Sequence, residues 1–204
     1  MIEQTAMYKI SYGLYVLTST DGEKQNGCIV NTVSMITDNP KRIVVFVNKA
    51  NYTDELIRKT GLINVSVLTE KTPFEVFKQF GFCSGRDTDK FAGKNYPTTE
   101  NGLYYLPEYA NAVISAKVVD TCDYGTHSLF VAEVTEAKTL NQDKSVTYEY
   151  YQSNIKPKPQ AQPKQEEEKE KWVCKICGYV HEGELPEDFI CPWCKHPASD
   201  FEKM

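Results

Sequence analysis

Six segments of the chain are rich in β-branched and aromatic residues, and several alternate apolar with polar positions: Tyr12–Ser19, Gly27–Ile36, Arg42–Asn48, Leu62–Leu68, Val113–Val119 and Leu129–Thr135. A period of two predicts strands. Asp21-Gly22 predicts the turn between the first two. Two places favour a helix instead. Thr72-Pro73-Phe74-Glu75 has capping-box spacing with proline at the first helical position, which predicts a helix through about Phe80. Asn51 or Thr53 would cap a second, with Asp54 and Glu55 in its first turn and Gly61 ending it. Many strands, few helices and no strand–helix–strand rhythm predict a mainly β fold with a closed or sandwiched antiparallel core.

The pattern stops near residue 154. Ile155–Lys171 holds three prolines and many charges with almost no apolar side chains, so it cannot bury enough surface to fold. It reads as a flexible linker, and a coil of about 16 residues spans roughly 20–25 Å. The predicted organisation is therefore residues 1–153 as a large domain, 154–171 as linker and 172–204 as a small domain.

Charge changes this picture little. The net charge is −5 with a pI near 5.3, which gives no basic footprint for nucleic acid. The N-terminus shows no basic segment followed by an apolar run, so no leader is read there. Apolar stretches such as Ile43–Val47 are too short to span a membrane. The expected location is the cytoplasm.

Cysteine changes it more. Four of the seven cysteines, Cys174, Cys177, Cys191 and Cys194, fall in the last 33 residues as two C-x-x-C pairs. Without a secretory signal, such pairs read as metal ligands rather than disulfides. Each turn puts two sulfurs on one side of a tight loop, and four thiolates can then converge on a tetrahedron. Gly178 lets the backbone fold back so that amides face sulfur. A segment this short also needs a staple to fold. Spacing alone leaves zinc and iron level. His181 and His196 lie close by, but four cysteines already complete the site.

Trp172-Val-Cys-Lys-Ile-Cys-Gly-Tyr-Val-His-Glu-Gly, followed by Pro186-Glu-Asp-Phe-Ile-Cys-Pro-Trp-Cys194, resembles rubredoxin. The short middle loop, and His196-Pro197 ahead of Asp200-Phe201, are most similar to the rubredoxin-type domain that ends rubrerythrins. The resemblance implies one iron on the four cysteines, cycling between ferric and ferrous, with zinc as a substitute. Trp172, Tyr179, Phe189, Trp193 and Phe201 would keep the site dry, although a very small core needs such residues anyway.

In the large domain, Tyr12–Ser19, Asn26–Ser34, Val47–Thr53, Phe80–Phe91 and Tyr124–Phe130 resemble, in order, the flavin-reductase-like family that includes flavoredoxin. With the rubredoxin-like end, the whole chain resembles the high-molecular-weight rubredoxins of anaerobic bacteria. The resemblance implies a split β-barrel binding FMN noncovalently, as a homodimer. It would place Asn26, Asn31, Thr32, Val33 and Ser34 along the isoalloxazine and ribityl chain, and Asn48, Lys49 and Thr53 toward the phosphate. Ser84, Arg86 and Lys90 would come from the glycine-containing loop, the two cations serving the phosphate. His127 would sit at the flavin edge, the alternative being a hydrogen-bonded barrel histidine. Asp54 and Glu55 would repel phosphate if they pointed inward, and are expected outward.

No G-x-G-x-x-G follows a strand, so no dinucleotide-binding Rossmann unit is read. Cys28, Cys83 and Cys122 read as inert small hydrophobes. The expected function is electron transfer from NAD(P)H through FMN to the iron, and on to an acceptor that the resemblance makes a flavodiiron O2 or NO reductase. The rivals are a carrier without NAD(P)H oxidase activity, and an FMN-binding protein with a structural zinc ribbon.

Overall fold

The alternating segments form antiparallel strands in the computed structural model, which describes residues 2–7, 9–157 and 170–204. The chain divides into two units, one ending at Lys156 and the other beginning at Pro157. Most of the segment read as linker, residues 158–169, lies outside the described residues. Of its flanks, Ile155 belongs to a helical turn, Tyr151–Ile155, and Lys171 opens a strand.

In the first unit a short helix α1 (Gln4–Met7) precedes β1 (Tyr15–Thr20), β2 (Gln25–Val30), β3 (Val33–Asp38) and β4 (Lys41–Asn48). Then come α2 (Tyr52–Thr60), β5 (Leu62–Leu68), α3 (Phe74–Gly81), β6 (Ala110–Asp123), β7 (His127–Thr139) and a last helical turn, α4 (Tyr148–Tyr150). The seven strands make one sheet in the order β2-β1-β5-β6-β7-β4-β3. β2 and β3 are its two edges, yet only Asn31 and Thr32 separate them in the chain. In a flat sheet those edges would lie about 29 Å apart, whereas the link reaches at most roughly 11 Å. The sheet must roll until its edges meet, which makes it a barrel. The Phe46 amide in β4 donates to Thr32 O at 3.2 Å and fastens the corner. Gly27–Ile36, predicted as one strand, is therefore two, because closure needs a bend at Asn31-Thr32.

The predicted turn after β1 forms. Gly22 has φ +101°, and the Asp21 carboxylate accepts from the amides of Glu23 and Lys24. Two apolar clusters follow from the pattern. Leu17, Val45, Val47, Ile63, Val65, Phe130 and Ala132 fill the barrel. Val16, Leu68, Phe77, Phe80, Phe91 and Leu106 pack α3 against its outside. β1 serves both clusters, Val16 on one face and Leu17 on the other.

Gly61 ends α2 as predicted, with φ +70° and its amide on Ile57 O at 2.7 Å. The predicted capping box of α3 does not form. The Thr72 hydroxyl accepts from Thr69 N and donates to Tyr109 O instead. Pro73 stands at the N-cap, and buried Phe77 and Phe80 hold the helix by packing.

The second unit has three short strands, β8 (Lys171–Cys174), β9 (Val180–Glu182) and β10 (Phe201–Lys203), in the order β10-β8-β9. Tyr179 contacts Phe189, Trp193 and Phe201 at ring separations of 5.3–6.5 Å. Among the described residues no helix is long and apolar enough to cross a membrane.

Candidate functional site

The metal centre is made of two matching turns. In the first, Cys174 N donates to Tyr179 O and Gly178 N to Cys174 O, both at 2.8 Å. In the second, Cys191 N donates to His196 O at 2.8 Å and Lys195 N to Cys191 O at 2.9 Å. The ligand atoms of Cys174, Cys177, Cys191 and Cys194 all lie within 4.8 Å of one another, and two sulfur pairs stand at 3.5 Å. A tetrahedral ion with bonds of about 2.3 Å would set its sulfurs about 3.8 Å apart. The geometry fits such an ion. So does the donor set, since four cysteine sulfurs suit zinc and iron. Burial first, and then the side-chain bond with Cys194, push Cys191 up to about 11, and the bond with Cys177, then burial, push Cys194 to the same value. Thiols held so high keep their protons unless a cation replaces them. His181 bonds to Glu184 O and His196 to Cys194 O, and neither belongs to the cluster.

The turns differ in the residue that takes the left-handed position after the second cysteine. Where the first has Gly178 at φ +79°, the second has Lys195 at φ +62°. Glycine takes this conformation without a Cβ clash; a residue with a side chain gives up roughly 1–2 kcal/mol there.

Several residues expected at the flavin lie around the C-terminal end of β4 and the start of α2. Thr32 meets Phe46, Asn48 pairs in register with His127, and the Asn48 carboxamide accepts from Ala50 N at 2.9 Å. The Lys49 ammonium lies 2.6 Å from Asp123, which it holds below the usual carboxylate range. From the other side comes the loop after α3. Lys24 donates to Gly85 O at 2.7 Å, and Arg86 donates to Ala50 O at 3.1 Å and pairs with Glu55. Lys24 and Arg86 both lie over the Tyr52 ring, 5.7 and 5.4 Å from its centroid. Lys24 and Arg86 thus meet where α2 begins, and Lys49 precedes Tyr52 by three residues; Asn31, Thr32, Val33, Asn48, Ser84 and His127 are half-buried and Ser34 is exposed. Cations with polar donors suit an anionic ligand that bears hydroxyls.

Asn26, Thr53 and Lys90 differ from these, because all three are buried. Asn26 donates to the Thr53 hydroxyl at 2.8 Å, while its carbonyl oxygen is buried with no hydrogen-bond partner. A Cβ at Gly85 would run into this carboxamide. The ammonium of Lys90 is committed to Gly27 O at 2.9 Å and Phe80 O at 3.2 Å, and burial lowers its pKa. The expectation that Lys90 offers charge to a phosphate is corrected: its charge is used to pin the loop. Asp54, expected outward, is also buried; Arg58 one turn on neutralises it at 2.8 Å, so it can face inward. Glu55 is exposed, as expected.

Lys24 and Asp123 lie outside the segments that resemble the family, and each meets these residues only through the fold. Cys28 is buried, Cys83 exposed and Cys122 half-buried. Burial pushes the Cys28 thiol up, consistent with an inert core residue.

Residues 7–158 match the flavin reductase like domain. The chain belongs to the flavin reductase-like family. Residues 172–202 of this family member match the rubrerythrin, rubredoxin-like domain. A high molecular weight rubredoxin of Moorella thermoacetica is 36% identical over the full length of both chains. A ferric-chelate reductase (NAD(P)H) of Archaeoglobus fulgidus is 43% identical over 72% of this chain and 86% of its own. The solved flavoredoxin of Methanosarcina acetivorans shares the fold, with a TM-score of 0.60 and 24% identity over 68% of this chain and 74% of its own. The chain therefore joins an FMN-binding flavin reductase-like domain to a four-cysteine iron domain, and is an oxidoreductase by family.

Proposed function

We propose that this protein carries electrons from NAD(P)H through FMN to the iron and on to an acceptor, with a flavodiiron O2 or NO reductase as the class of acceptor. One observation carries the reading: a flavin reductase-like unit and a closed four-sulfur cluster occur in one chain. FMN, when bound, would supply two-electron hydride chemistry, and iron on the four cysteines would supply one-electron chemistry. The rest is done by side chains. Lys24, Lys49 and Arg86 would bind the phosphate, with Glu55 giving way on Arg86. Asn31–Ser34, Asn48 and His127 would meet the polar edges of the ring and the ribityl chain. Lys90 and Asn26 hold the loop and α2 in register beneath them. Cys174, Cys177, Cys191 and Cys194 would hold the iron, and the Tyr179 ring set would exclude water.

The relative named for NAD(P)H supports that donor. Exposed Met35 and Ile36 on edge strand β3, with Val119 on β6, support packing against a second copy and hence a homodimer. The location we infer is the cytoplasm.

A visible spectrum with metal and flavin analysis tests the cofactors. Red ferric tetrathiolate bands over those of the flavin, with one iron and one FMN per chain, are expected. Zinc with flavin alone would leave an FMN protein with a structural ribbon.

A further inference from the structure

We propose that Lys195 turns the second metal knuckle into a docking lip for an external electron acceptor whose own redox centre is ringed by carboxylates. The inference rests on the iron reading above. The two knuckles share their hydrogen bonds, yet only one is relieved of strain by glycine. Lys195 is the one non-glycine residue with positive φ among the described residues. Strain of this kind persists where the site uses what the side chain adds. Here it adds a long exposed cation next to Cys194, the one ligand that is not buried. The exit for an electron lies on that side.

The surroundings agree. Residues 170–204 carry seven acidic side chains and four lysines, so the unit as a whole is acidic. Lys171 and Lys203 are paired with Glu182 and Glu170. The other two, Lys175 and Lys195, are exposed, sit on the two ligand loops and form no ion pair among the described residues. Beside them Ile190 is 60% and Trp193 39% exposed. A small apolar centre with cations at its margin, on an otherwise acidic unit, is complementary to an apolar opening rimmed with carboxylates. Charges so placed orient an encounter over about a Debye length, roughly 10 Å at 0.1 M salt.

The test uses the full chain with its iron reduced, mixed with small outer-sphere oxidants that stand in for an acceptor. Ferrous iron gives one electron to hexacyanoferrate(III), which becomes hexacyanoferrate(II); no bond forms or breaks and no proton moves. Tris(phenanthroline)cobalt(III) is the cationic counterpart. Lys195→Ala should react about three- to tenfold more slowly than the native chain with the anion at low salt, and faster with the cation. Both differences should vanish at high salt, and Lys195→Arg should restore native rates. Lys195→Gly should behave like Lys195→Ala toward the oxidants but lose its metal at a higher temperature, since only glycine relieves the turn. Equal rates for Lys195→Ala and the native chain with both oxidants, at equal iron content, would overturn the proposal. So would slower internal reduction of iron by NADH in Lys195→Ala, which would assign the lip to the chain's own flavin unit. A chain that takes zinc and refuses iron would overturn the iron reading as well, and metal content tells that failure from the others.

Discussion

The metal knuckle draws its four ligands from two tight turns, each closed by hydrogen bonds within five residues of chain. The candidate flavin site has no such local frame. Lys24 meets Gly85 across 61 residues of sequence, Lys49 meets Asp123 across 74, and Asn26 meets Thr53 across 27. A site made of turns depends on its own ligands and its ion. A site assembled by a rolled sheet depends on residues that never touch the ligand. Loss of a ligand should therefore abolish the first, while changes to the second should act in steps.

Cys191→Ala should have the largest effect. Metal binding in small domains of this kind contributes about 10–16 kcal/mol to folding, as measured for zinc. The ferric bands and amide protection across residues 170–204 should disappear while FMN titrates normally. Weakened FMN binding in this variant would break the contrast between the sites.

Lys90→Met comes next. It leaves Gly27 O and Phe80 O without their donor, at a cost of about 1–3 kcal/mol for each buried group. Urea melts of the first unit should show that loss, and FMN affinity should fall although Lys90 touches no ligand. Unchanged affinity would detach the loop from the candidate flavin site. Gly85→Ala should follow, since its Cβ meets the Asn26 carboxamide and overpacking costs about 1–3 kcal/mol. Fluorescence titration should show FMN bound about tenfold more weakly, with the iron bands intact. Arg86→Ala should be mildest for stability. Its exposed pair with Glu55 contributes about 0–1 kcal/mol, so the melt should barely move while FMN binding weakens and loses part of its salt dependence.

The same contrast decides what the sequence made legible. All four metal ligands could be read from spacing, because spacing is what positions them. The strands were legible from alternation, but the bend at Asn31-Thr32 was not, since only the pairing of distant edges demands it. Thr72 looked like a cap until Thr69 and Tyr109 took its hydroxyl. Asp54 looked like a surface acid because its spacing to Arg58 says nothing about which way the pair faces. Lys90 was legible as a cation near the candidate flavin site, but its burial follows from carbonyls on β2 and α3 that no local motif marks.

The most direct measurement of the central claim is rapid anaerobic mixing of the full chain with NADH, following flavin and ferric bands together. The flavin band should bleach and the ferric band should follow at a rate set within the chain. That second phase should be absent from Cys191→Ala. A flavin that bleaches while the iron stays ferric would contradict transfer between the two sites.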